Sequence, residues 1–142
     1  MLFEIRIKLK YLNKTKQESS EINMVLLSVS LNGEKMEAKI LKKIQERIIK
    51  NFMDTIIMSE LRNGPVSGYD IIFYIHTKFG LLVSSGTVYS LLYSLERNGL
   101  IEGVWVERKR VYKLTDKGAK TTQVILDSTD RIKGFMTTIL KA

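Results

Sequence analysis

Few residues in this 142-residue chain are of types that do covalent or metal chemistry. It has one histidine, His76, and no cysteine. A three-histidine metal site is therefore excluded, as are thiolate ligands and disulfides. A Ser-His-Asp triad would have to be built on His76, which lies beside Ile72 and Ile75 in an amphipathic stretch. That is the usual setting of a structural or surface histidine. None of the HExxH, GxSxG, P-loop or GxGxxG patterns occurs. The residues point away from an enzyme, and they call for no metal and no cofactor.

What the chain does have is positive charge and one unusual helix face. Twenty-three Lys and Arg against 15 Asp and Glu leave a net charge of +8. Such a balance favours a polyanionic partner, with nucleic acid ahead of an anionic membrane surface. The stretch "SSGTVYSLLYSLERNGLIEG", residues 84–103, announces both ends of a helix. Ser84 or Ser85 caps its start, and Asn98-Gly99 stops it. At about 100° per residue, Val88, Leu91, Leu92 and Leu95 form one apolar stripe. Gly86, Ser90, Tyr93 and Arg97 line the opposite side, with Thr87 and Ser94 on one edge and Tyr89 on the other. This outer face is short-chained and rich in hydroxyls, with Ser85 at its head. It lacks the Glu/Lys pairs that merely solubilise a helix. Small hydroxyl residues allow close approach and donate to phosphates or base edges.

The neighbouring elements decide how that face is presented. From Met36 to Leu61 the apolar residues recur at helical spacing. Leu41, Ile44 and Ile48 make a narrow stripe suited to one partner helix, which broadens from Ile49 through Phe52, Met53, Ile56 and Ile57. Asn63-Gly64-Pro65 ends the segment. Ser67 opens a helix buried through Ile71, Ile72, Ile75 and Phe79 and closed by Gly80, and Leu81–Val83 predicts a short strand. After the helix at 85–98, "LIEGVWVE" and "RVYKLT" predict a hairpin with the charged tip "ERKR", in which Trp105 packs. Thr115 caps a final helix with a stripe of Ile125, Ile132, Phe135, Met136 and Ile139.

Helix, helix, short strand, helix and basic-tipped hairpin together make an α+β, mostly α, winged helix-turn-helix. In such folds the last helix enters the major groove and the wing lies along the backbone. The domain spans 36–142, with a core at 49–116 and a C-terminal helix at 116–141. Residues 1–35 differ in texture. Phe3–Tyr11 alternates with a period of two and "MVLLSVSLNGEK" ends on a turn signal, so two short strands compete with an extension outside the fold.

Three blocks, "GPVSGYDI", "SSGTVYSLLYSLERNGLIEG" and "RVYKLTDKG", resemble those of the PadR family of winged-helix transcriptional regulators. The resemblance covers about residues 53–118. It implies a sequence-specific duplex-DNA regulator, a repressor in character, acting as a homodimer in the cytoplasm. The helix opening at Gly86-Thr87 would sit in the major groove, with Ser85, Thr87, Ser90 and Tyr93 reading bases and Arg97 on the same face. Tyr89 matches the family's signature tyrosine near the phosphate backbone, and Tyr69 matches a position for a supporting backbone contact. The wing at 100–114 would address phosphates through Arg108, Lys109 and Arg110. Its tip is shorter than the glycine-containing loop of many members, so deep minor-groove insertion is not expected. The implied homodimer swaps the N-terminal arm (Leu41, Ile44, Ile48) and the C-terminal helix (Ile125, Ile132, Phe135, Met136, Ile139) against the partner subunit. Some members take aromatic or multidrug-like ligands at this interface, so the resemblance allows a small aromatic effector there, although no residue identifies it.

The competing reading is a non-catalytic winged-helix module that binds proteins or RNA, its basic charge being solvated surface. The N-terminus "MLFEIRIKLKYL" is interrupted by charge, so it predicts no secretory signal. No apolar run reaches the ~18 residues that a membrane span needs.

Overall fold

The computed structural model describes residues 35–142. The strands considered for residues 3–11 and 24–31 lie outside the described residues. The described chain forms α1 (Lys35–Asn51), α2 (Met53–Leu61), β1 (Val66–Ser67), α3 (Gly68–Phe79) and α4 (Ser85–Arg97). It continues with β2 (Ile101–Val106), β3 (Lys109–Leu114), α5 (Asp116–Asp127) and α6 (Thr129–Lys141). This order, with a helix pair followed by a hairpin, is the winged helix-turn-helix.

Two compact units share these elements: α1 with residues 69–88, and residues 53–68 with 89–142. In the first, Ile49, Ile71, Tyr74, Ile75, Leu81 and Val88 are buried. Tyr74 takes a core place that periodicity assigned to Phe79. It meets Phe79 edge-on, at 6.2 Å between ring centroids, and its hydroxyl accepts from Lys78 Nζ at 2.8 Å. Gly80, at φ +65°, closes α3 in the left-handed conformation, its amide donating to the His76 carbonyl.

In the second unit, α2 packs on α5 and on β3. Met53, Ile57, Met58, Leu61, Val66, Leu92, Leu95, Ile101 and Tyr112 are buried. The sheet is antiparallel, in the order β1-β3-β2. Its third strand is not Leu81–Val83, which forms no strand; Leu81 is simply buried there. Val66 and Ser67 instead pair with Tyr112 and Val111, along the edge of β3 that β2 leaves open. Pro65 has no N–H to donate and fits the entry to an edge strand. Ser67 thus belongs to β1, and α3 starts one residue later than expected.

Two further expectations are corrected. The helical run from Met36 breaks at Phe52, whose side chain is exposed although the stripe assigned it to the core. The C-terminal helix is two helices separated at Ser128, whose amide is shared between the Val124 and Ile125 carbonyls, both at 3.1 Å. Thr129 Oγ1 donates to the Leu126 carbonyl at 2.6 Å. Short hydroxyl side chains in "DSTD" compete for backbone groups in this way and interrupt a helix.

Candidate nucleic-acid interface

Ser84 caps α4: its Oγ accepts the Thr87 amide at 3.1 Å and shares a hydrogen bond with the Thr87 hydroxyl at 2.8 Å. Val88, Leu92 and Leu95 are buried and Leu91 is half-buried, so the predicted stripe is the buried one. Ser85, Gly86, Thr87, Tyr89, Ser90, Tyr93 and Arg97 are exposed on this one continuous helix. Tyr93 is 65% exposed, and the Arg97 guanidinium lies 5.6 Å from its ring centroid. Tyr89 is anchored rather than loose. A Cβ built on Gly68 would stand 2.6 Å from its ring, so the glycine of "SGYDI" makes room for the tyrosine of "GTVY". Tyr69, the next residue, is exposed in the first turn of α3. His76 is exposed on the same helix, and the described residues contain no group of three or more His, Cys, Asp or Glu able to hold a metal.

The C-terminus of α4 is fixed by a Schellman turn. Leu100 N donates to the Leu95 carbonyl at 3.0 Å and Gly99 N to that of Glu96 at 2.9 Å, with Gly99 at φ +70°. Thr115 then ties the far end of the wing to this turn. Its amide donates to the Leu100 carbonyl and its hydroxyl to that of Gly99 at 2.7 Å. The same hydroxyl accepts the Gly118 amide at 3.0 Å and so caps α5. Lys117 Nζ reaches the Asn98 carbonyl at 2.9 Å. The block "LTDKG" is therefore the knot that closes the wing onto α4.

The wing tip has two turn residues, Glu107 and Arg108, at φ +46° and +67°. Both positive angles mark a type I′ turn, which suits the twist of a hairpin but favours Asn-Gly. Each non-glycine residue there costs roughly 1 kcal/mol. Arg108→Gly is thus expected to raise unfolding stability by about 1 kcal/mol, read from urea denaturation midpoints. Arg108 is exposed at the tip, and Lys109 opens β3 half-buried. Arg110 is committed elsewhere: its Nη2 lies 2.8 and 2.9 Å from the two carboxylate oxygens of Glu96. Its guanidinium also sits 5.5 Å from the Tyr112 ring centroid. Burial pushes the Tyr112 hydroxyl above its ordinary value of 10; Arg110 pulls it down, while Glu96 and Tyr89 push it up. Trp105 does not pack in the hairpin as expected; it is 73% exposed. It lies opposite Arg110 near the tip, past the buried end of the sheet.

The stripes read as interface residues are uncovered to different degrees. Leu41, Ile48, Phe135 and Ile139 are exposed, whereas Ile44, Ile125, Ile132 and Met136 are half-buried. Glu96 and Gly103 are not singled out by the sequence, because their role depends on contacts between elements. The only local signal is a glycine inside a strand, which often marks a close approach.

These elements define a winged-helix protein with an exposed, hydroxyl-rich helix face and a cationic wing tip. The chain matches, over residues 57–124, the sequence model of the Transcriptional regulator PadR-like family. It is similar to the solved structure of a transcriptional regulator from Clostridium thermocellum, at 29% identity and TM-score 0.57, over 66% of this chain and 94% of that one. A PadR-like transcriptional regulator from Bacillus cereus shares the fold at 22% identity and TM-score 0.59, over 68% and 98% of the two chains. A PadR family regulator from Eggerthella lenta does so at 18% identity and TM-score 0.62, over 77% and 99%. Comparison with curated proteins returns no match.

Proposed function

We propose that the protein is a cytoplasmic, sequence-specific transcriptional regulator that binds duplex DNA as a homodimer and represses. The observation that carries this is the charge state of α4. Its one acidic residue, Glu96, is paired with Arg110, so the exposed face offers hydroxyls, two tyrosines and Arg97 with no unpaired acid. Such a face suits a polyanion with a readable edge better than it suits bulk water. The 36–142 segment acts as the DNA-binding domain, with α1 and α6 providing the dimer contacts. Ser85, Thr87, Ser90 and Tyr93 read bases; Gly86 permits close approach. Tyr69, Tyr89, Arg108 and Lys109 address the backbone.

The test is a duplex gel shift at several salt concentrations, with single-stranded DNA as the control. If each subunit neutralises about four phosphates, the log-log salt slope is on the order of −7 for the dimer. Ser90→Ala and Tyr93→Ala should change which sequence is preferred. Arg108→Gly, although stabilising, should weaken every duplex alike. A slope near zero, or equal binding to single strands, would sink the reading.

A further inference from the structure

A two-stranded hairpin has little rigidity of its own, so the pitch of a wing depends on where it is tied back. Here the base is tied by Thr115, and a second tie lies farther out. Glu96, in the last turn of α4, accepts from both strands of the wing. Its Oε1 takes the Gly103 amide of β2 at 2.9 Å and Arg110 Nη2 of β3 at 2.8 Å, and its Oε2 takes the same Nη2 at 2.9 Å. The cluster is closely fitted. A Cβ on Gly103 would stand 2.5 Å from Arg110 Nε and 3.0 Å from Glu96 Oε1. A glycine that weakens a strand is thereby explained, since any side chain would push the two charges apart.

We infer that Glu96, Gly103 and Arg110 form a clamp that sets the wing against the helix that reads DNA, making Arg110 a positioning residue and not a phosphate ligand. The inference rests on the DNA-binding reading above. Glu96 lies one turn beyond Tyr93 and next to Arg97, so the clamp fixes the wing relative to the residues that face the bases. The Arg110 charge is already matched by a carboxylate. Turning Nη2 to a phosphate would leave Glu96 with the Gly103 amide alone.

The two roles give opposite signatures in the full-length chain, using a duplex that the wild type selects from random DNA. Loss of the clamp should weaken binding about fivefold in Arg110→Gln, in Arg110→Lys and in Glu96→Gln, with the double variant no worse than either single one. The salt slope should stay at its wild-type value, whereas Arg108→Gln should flatten it by about 0.9 for each phosphate left without its cation. The Arg110→Lys arm is decisive, because lysine keeps the charge but has no planar group to lie against the Tyr112 ring while meeting both Glu96 oxygens. If Arg110→Lys binds like wild type and Arg110→Gln flattens the slope, Arg110 is a phosphate ligand and the clamp is overturned. If Glu96→Gln tightens binding, the carboxylate is only a repulsive charge and the clamp is again overturned.

A DNA-free measurement separates this inference from the function. Hydrogen exchange at the Gly103 amide should accelerate in Arg110→Gln. No change there would overturn the clamp whatever DNA does. Faster exchange in a protein whose wild type selects no duplex would uphold the clamp and defeat the DNA reading.

Discussion

Replacing Gly118 with alanine is expected to destabilise the protein by about 3 kcal/mol, lowering the thermal midpoint by roughly 10 °C. Glycine-to-alanine changes inside helices normally stabilise by about 0.5–1 kcal/mol, so the expected sign is reversed. The reason is the backbone that faces it. A Cβ at Gly118 would run into the Leu100 carbonyl oxygen and stand 3.2 Å from Leu114 Cδ2. Leu100 cannot retreat freely, because its amide closes the Schellman turn of α4 while its carbonyl accepts from Thr115 N and Oγ1. Moving it would loosen the end of α4, the base of the wing and the cap of α5 together. Gly134 in α6 is the control, since a Cβ there meets nothing within 4 Å. Gly134→Ala should stabilise by up to about 1 kcal/mol. Denaturant curves of the two variants test the pair, and equal signs would refute the steric account.

The second large effect is expected from Ile132→Asp combined with Met136→Asp. In the proposed homodimer these residues lie within the C-terminal seam. The α6 helix has no buried residue within one chain, yet Phe135 and Ile139 are 68% and 69% exposed on it. An apolar stripe left this exposed among the described residues suits a partner surface. Two buried carboxylates would abolish that association. Light scattering should then report the monomer mass, and duplex affinity should fall by on the order of 100-fold or more, because the second half-site loses its tether. The variant should keep the wild-type helical signal, since neither residue is fully buried in the single chain. A dimer mass in the double variant would place the interface elsewhere.

Much of this fold is legible in the residues themselves. The stripe of Val88, Leu91, Leu92 and Leu95 turns the hydroxyl face of α4 outward, because a period of 3.6 admits one apolar side. Gly80, Gly99 and Thr115 end or begin their helices through local backbone chemistry, which the chain encodes within a few residues. The hairpin is equally plain from its β-rich runs, although its two-residue tip is not.

Other features needed the folded molecule. A two-residue strand at Val66–Ser67 has no period to detect; it exists because β3 has an open edge beside it. Trp105 looks like a packing residue by type, but it sits past the point where the sheet has anything to pack against. Gly68, Gly103 and Gly118 are small because Tyr89, the Glu96–Arg110 pair and the Leu100 carbonyl respectively come close to them. Arg110 counts as one more wing cation until Glu96 is seen to hold it. The sequence by itself determined which side of α4 is buried and where most elements end. Tertiary structure alone decided what each buried side meets and which charges are already matched, because a contact between distant residues leaves no periodic trace in the chain.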